Sequence, residues 1–367
     1  MSLDTLSLEQ KVGQLFFIGI PGPELDGATC ALLDEVSPGG VCLFARNIRD
    51  ATRTRELLDS LRAALPITPL LSVDQEGGLV DRLRRIMTPM PAANRLRTSA
   101  DAARLGSIIG ETLRILGFNM DFAPVVDVID NERSHYQNGL LSRTFGNCKE
   151  DVMTFGGAFL EALQSHGIAG CLKHFPGLGA SRVDSHEELP SIDVPEDRLR
   201  FVDLFPYWEW QLFNDSEIHA VMVAHAAFPG NALQETDQNG KLLPSSLSYN
   251  FVTKLLRGDI GFDGLVITDD LEMGAIVKNY GIGEACKMAI NAGADSLAIC
   301  ANPNAIRVGY QAVLSAVEND EIAHERLEDS LARISGLKGR LSEPPNFDEG
   351  RLKELSEQTA ALNDRLD

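Results

Sequence analysis

The feature that most constrains this chain is an alternation. Eight short apolar runs recur along it: QLFFIGI, GGVCLFA, TPLLSVD, FNMDFAPVVDV, IAGCLKH, AVMVAH, GLVITD and DSLAIC. They are rich in Val, Ile, Leu and Phe, and they are continuous rather than alternating with polar residues. That is the pattern of strands covered on both faces, as in a parallel sheet. Amphipathic stretches lie between them. RDATRTRELLDSLRAAL follows the second run, SADAARLGSIIGETLRIL follows the third, KEDVMTFGGAFLEALQSH precedes the fifth and GEACKMAINAG precedes the eighth. Several end at a Gly, a helix stop signal. A strand–helix alternation of this length predicts an α/β fold, a single-domain (β/α)8 TIM-type barrel. An open doubly wound sheet would want a Gly-rich phosphate turn after its first strand, and FFIGIPGPELDG matches G-x-G-x-x-G poorly.

The expected boundaries are a catalytic barrel over 1–320 and a C-terminal helical tail over 321–367, packed on the barrel and carried by RLEDSLARISGLKGRL and RLKELSEQTAALNDRL. A formal charge of −20 argues against nucleic acid, which needs clustered Lys and Arg. The six cysteines form no Cys-x-x-Cys pair and read as small buried hydrophobes. The stretch MSLDTLSLEQKVGQ lacks the basic and apolar regions of a signal peptide, and no run is long enough to span a membrane. A cytoplasmic protein is expected, a monomer or weak oligomer, without cofactor, metal or membrane partner.

In such barrels the active site forms at the C-terminal ends of the strands. The third run ends in Asp74, the fifth in Lys173 and His174, the sixth in His225 and the seventh in Asp269 and Asp270; the loop after the fourth holds Arg143. Five strands delivering polar groups to one rim read as a polar pocket. Asp74 could cap the following helix, but the glycines of DQEGG suit a tight loop where a ligand approaches. Arg143 could be a solvated loop residue, and His225 a satisfied core histidine. For Asp269 and Asp270 the plain reading is a double helix cap. The functional one is a carboxylate nucleophile facing the pocket, with the second acid bonding backbone.

The stretch KHFPGLGASRVDSHEELP, Lys173 to Pro190, packs many titratable groups into one long loop. Loops of that length in compact barrels are usually functional. Asp184 stands two residues before His186, a spacing at which a carboxylate can orient an imidazole and raise its basicity. His186 would then exchange a proton near neutrality.

The motifs KHFPGLGASRVDSH, DQEGG, MDFAPVVDV, SRTFG, VMVAH and GFDGLVITDDLEMGAI occur in an order that resembles the family-3 glycoside hydrolases. More narrowly, they are similar to the single-domain β-N-acetylglucosaminidases of peptidoglycan recycling. The likeness runs from about Leu6 to Ala316. It implies a retaining mechanism with Asp269 as nucleophile, His186 as general acid/base and Asp184 as its partner. Asp74, Arg82, Arg143, Lys173 and His174 match residues that hold the terminal sugar, and His225 is similar to a further pocket residue. Two positions depart from the pattern. Leu178 stands where the family usually has His or Arg in K-H-F-P-G-x-G, and Leu79 stands where it usually has Arg after D-Q-E-G-G.

The resemblance implies an exo-acting β-N-acetylglucosaminidase, a β-hexosaminidase whose partner is a GlcNAc-containing glycoside. Three other readings stay open. A His acid/base leaves the site less negative than a carboxylate would, which permits phosphate as acceptor and a phosphorylase. Adjacent acids also occur where the substrate acetamide is the nucleophile, although such a site would want a carboxylic acid as proton donor. The two leucines are compatible with a sugar-binding protein without activity. A metal-dependent hydrolase would call for His-x-His on the first strand, which is absent.

Overall fold

The computed structural model describes residues 6–183, 188–213 and 217–367. All eight apolar runs form strands. These are β1 (Phe16–Gly19), β2 (Gly40–Leu43), β3 (Leu70–Val73), β6 (Met120–Asp121), β7 (Ala169–Phe175), β8 (Ala220–Val223), β9 (Leu265–Thr268) and β10 (Leu297–Ile299). A two-stranded hairpin, β4 (Gln75–Gly77) and β5 (Val80–Asp81), follows β3. The barrel strands are parallel and neighbour one another in the order β10-β1-β2-β3-β6-β7-β8-β9. A parallel bridge between Ile267 and Ser296, with Thr268 N donating to Ser296 O, joins the two ends and closes the barrel.

The strands are buried on every residue, as their unbroken apolar sequence requires. The expected helices form at Ala51–Ala64, Ser99–Leu116, Lys149–Ser165 and Ile282–Ala292. Their starts carry local signals. Asp50 and Thr98 cap the first two, and Gly117 and Gly293 stop the second and fourth in left-handed conformation.

Three details differ from the sequence expectation. The run FNMDFAPVVDV contributes only two strand residues, because Pro124 cannot donate to a ladder. The hairpin β4–β5 and the helix Gly27–Val36 are additional elements. Of the six cysteines, Cys42, Cys171, Cys286 and Cys300 are buried, while Cys30 and Cys148 are only half-buried.

At the chain's end, the helix His324–Arg340 lies at the barrel's N-terminal end, where Arg326 and Arg333 reach Asp295. The last helix, Glu349–Leu366, packs on Ser99–Leu116. Arg351 forks onto Glu111, and Thr88 meets Ser356. Among the described residues, no helix is long and apolar enough to cross a membrane.

Candidate active site

A cavity of about 310 Å³ opens at the C-terminal end of the barrel. Strand ends build its inner wall: Cys42 from β2, Lys173 and His174 from β7, Met222 from β8 and Ala298 from β10. Asp74 follows β3 directly, Glu76 lies in β4, and Asp269 and Asp270 follow β9. Parallel strands point their C-terminal ends the same way. Residues far apart in sequence therefore converge on this rim.

A buried charge network occupies the inner part. The Lys173 ammonium lies 2.7 Å from Asp74 Oδ1 and 2.7 Å from Glu76 Oε1. Arg143 donates to both oxygens of Glu76, at 2.8 and 2.9 Å. Burial alone would push the Glu76 carboxyl up, but the Lys173 ammonium and the Arg143 guanidinium outweigh it and hold the group at about 2. Burial likewise works against the charge on Lys173 and on Arg143. The facing carboxylates, Asp74 and Glu76 for Lys173 and chiefly Glu76 for Arg143, raise both instead. All three groups are thus ionised at neutral pH. Arg82 lines the same cavity, and its Nε is buried with no hydrogen-bond partner among the described residues.

Beside this network, His174 Nδ1 donates to Asp127 Oδ2 at 2.8 Å, and Asp127 Oδ1 accepts the Leu178 N–H at 2.6 Å. Asp127 therefore fixes both an imidazole and the loop that follows β7. The Lys173–His174 peptide is cis, and both side chains line the cavity.

The acidic pair lies on the wall formed by the end of β9. Asp269 and Asp270 both line the cavity, rather than one facing in and one out. The Asp270 N–H donates to Asp269 Oδ1 at 2.8 Å, and Asp270 Oδ1 accepts the Glu272 N–H at 3.0 Å. Burial, with the Glu272 and Asp269 charges adding to it, pushes the Asp270 carboxyl up to about 7. His225 does not line the cavity. It is fully buried behind this wall, where Nε2 donates to the Asp270 carbonyl at 3.1 Å and Nδ1 pairs with Ser246 Oγ at 2.7 Å.

Of the residues singled out from sequence, Asp74, Arg82, Arg143, Lys173, His174 and Asp269 meet around one cavity. Asp184 and His186 lie outside the described residues. Sequence reasoning passed over Glu76 and Asp127. Each sits inside a quoted motif, DQEGG or APVVDV, as an acid embedded in an otherwise apolar or Gly-rich segment, and that was the available signal. Among the described residues no group of three His, Cys, Asp or Glu is arranged to hold a metal ion.

Comparison with known proteins places this geometry. Residues 7–337 match the glycosyl hydrolase family 3 N-terminal domain. A β-hexosaminidase of Tolumonas auensis is 31% identical over 89% of this chain and 92% of its own length. The β-hexosaminidase A of Pseudoalteromonas piscicida is 32% identical, but the chain spans only about half of it, 54%. The structure of a family 3 β-N-acetylglucosaminidase from a Paenibacillus species is 34% identical and superposes with a TM-score of 0.86, covering 98% of this chain and 69% of that one.

Proposed function

The chain belongs to glycoside hydrolase family 3, and on that footing we propose that it is a retaining exo-β-N-acetylglucosaminidase. It removes terminal β-linked GlcNAc from peptidoglycan-derived muropeptides or related glycosides, through a covalent glycosyl-aspartate. The observation that carries this reading is the position of Asp269 on the wall of a cavity whose interior holds the Lys173, Asp74, Glu76 and Arg143 network. The β-hexosaminidase and β-N-acetylglucosaminidase relatives support the choice of sugar.

Lys173, Arg143, Arg82, His174 and Asp74 supply donors and an acceptor for the hydroxyls of one sugar ring. Asp269 attacks the anomeric carbon and displaces the aglycone oxygen, which takes a proton from His186. The resulting ester is opened by water that His186 deprotonates, and the configuration is retained. Asp184 stabilises the imidazolium formed in the second step. The hydrogen bond from Asp270 N to Asp269 Oδ1 orients the nucleophile. Asp270, with its carboxyl raised to about 7, adds little negative charge beside it below that pH.

The test is release of an aryl alcohol from an aryl N-acetyl-β-glucosaminide, with and without phosphate, beside Asp269→Ala and His186→Ala. Release by the wild type that both substitutions abolish is the expected result. Sugar 1-phosphate as the main product would replace hydrolysis with phosphorolysis. A folded wild type that releases nothing would contradict the reading.

A further inference from the structure

The cavity has two chemical characters, and the outer one is unlike the inner. Its interior holds the network of Lys173, Arg143, Asp74 and Glu76, set on a wall that also includes Cys42, Met222 and Ala298. Its mouth carries Leu79 and Val183, which both line the cavity yet are 71% and 46% exposed. Leu178, Val80 and Leu140 line the same cavity alongside them.

Leu79 sits at the tip of the β4–β5 hairpin, and that hairpin is pinned. Gly77 and Gly78 turn it with φ of +90° and +59°. A Cβ on Gly78 would lie 2.6 Å from the Ala92 Cβ, so only glycine lets the tip pack this closely. The Gly78 N–H donates to Met90 O at 3.0 Å, and Arg84 donates to Gly78 O at 2.7 Å. The Gln75 side chain ties the two strands together, donating to Asp81 Oδ1 at 2.9 Å and accepting the Arg82 N–H at 2.9 Å. A leucine held out to water on so fixed a support keeps its apolar surface hydrated until something covers it. Because the support is already ordered, covering it costs little conformational entropy.

Resting on the glycosidase reading, we propose that this mouth is a leaving-group subsite for an aglycone with an apolar face, such as an aryl or alkyl group. The sugar ring to be cleaved fills the ionic interior, so its leaving group projects outward through the mouth. There it meets Leu79, Val183 and Leu178. Of the three cations in the cavity lining, Arg143 and Lys173 are held inside by Glu76 and Asp74, and Arg82 lines the cavity with its Nε buried.

Two thioglycosides that resist hydrolysis, phenyl and methyl 1-thio-β-N-acetylglucosaminide, test this by calorimetric binding to the full chain. The wild type should bind the phenyl compound about tenfold tighter than the methyl one. Leu79→Ser should cut that ratio about fivefold. Leu141→Ser, which alters an exposed leucine outside the cavity lining, should preserve the ratio. Binding of the methyl compound reads the sugar pocket by itself. If both compounds bind with equal affinity, or if the Leu79→Ser ratio matches that of the wild type, the apolar subsite is overturned while the glycosidase reading stands. If neither binds the wild type, both are overturned.

Discussion

The two ends of the barrel each bury a carboxylate among cations, and they do so to different ends. At the N-terminal end, Asp295 is fully buried and receives Arg257, Arg326 and Arg333, together with the Val266 N–H and the Ser330 hydroxyl. Its oxygens are consumed by the protein, and it ties the loop before β10 to the helix His324–Arg340. At the C-terminal end, Glu76 is equally buried between Lys173 and Arg143, but those cations line an open cavity with Asp74, Arg82 and Asp269. A buried ion cluster closed on itself is architecture. One that leaves donors facing a cavity is prepared for a ligand.

Substitutions at the two ends should therefore separate activity from stability. The largest effect is expected for Asp269→Ala, which should lower kcat for an aryl N-acetyl-β-glucosaminide by about 10⁴-fold or more, with the thermal midpoint nearly unchanged. Asp295→Ala should do the reverse. Stripping three arginines of their carboxylate should cost about 3–5 kcal/mol in denaturant unfolding, while the folded fraction keeps its kcat. Loss of activity without loss of stability in Asp295→Ala would break the contrast.

Within the site, Glu76→Gln keeps the shape but removes the charge shared by Lys173 and Arg143. It should lower kcat/KM by about 10²-fold.

The same end of the barrel also sharpens the comparison through pH. Glu76 is held at about 2, below its ordinary 4.5. It therefore contributes stability above pH 4.5 that is lost as the pH falls toward 2. Asp270 is raised from 3.8 to about 7. The folded state then binds its proton more tightly, and that contribution is present below pH 3.8 and lost as the pH rises through 7. Relative to Asp270→Asn, the wild type should lose on the order of 3 kcal/mol between pH 4 and pH 7, read by chemical denaturation at both values. A difference that is flat with pH would contradict the assignment. The smallest effect belongs to the surface. Arg351→Ala breaks a partly exposed pair with Glu111 and should cost about 1 kcal/mol.

The barrel was legible because its signals are local. Each strand is a continuous apolar run, and the helix Ser99–Leu116 begins at a Thr cap and stops at Gly117, all within one short window. The strand-end rule then located Asp74, Lys173, His174 and Asp269 without knowledge of their partners. Glu76 and Asp127 were not legible in the same way. Their roles lie in contacts with Lys173, Arg143 and His174, which the chain delivers from distant strands, and nothing beside them in sequence announces those partners. The hairpin at Gln75–Asp81 was hidden for a similar reason. It is two very short strands held by a buried glutamine rather than by an apolar pattern. His225 read as a rim residue because it ends a strand, yet its ring bonds turn it into the wall behind Asp270. The catalytic roles read from Asp184 and His186 lie outside the described residues and rest on the sequence.

The central claim is that Asp269 forms a covalent bond to the sugar, and trapping that bond tests it most directly. A 5-fluoro-N-acetylglucosaminyl fluoride slows the opening of a glycosyl ester more than its formation, so the intermediate accumulates. Peptide mass spectrometry of the inactivated protein should find one glycosyl adduct, mapped to Asp269, and none on Asp269→Ala. Turnover of substrate with no adduct, or an adduct mapped to Asp270, would contradict the account.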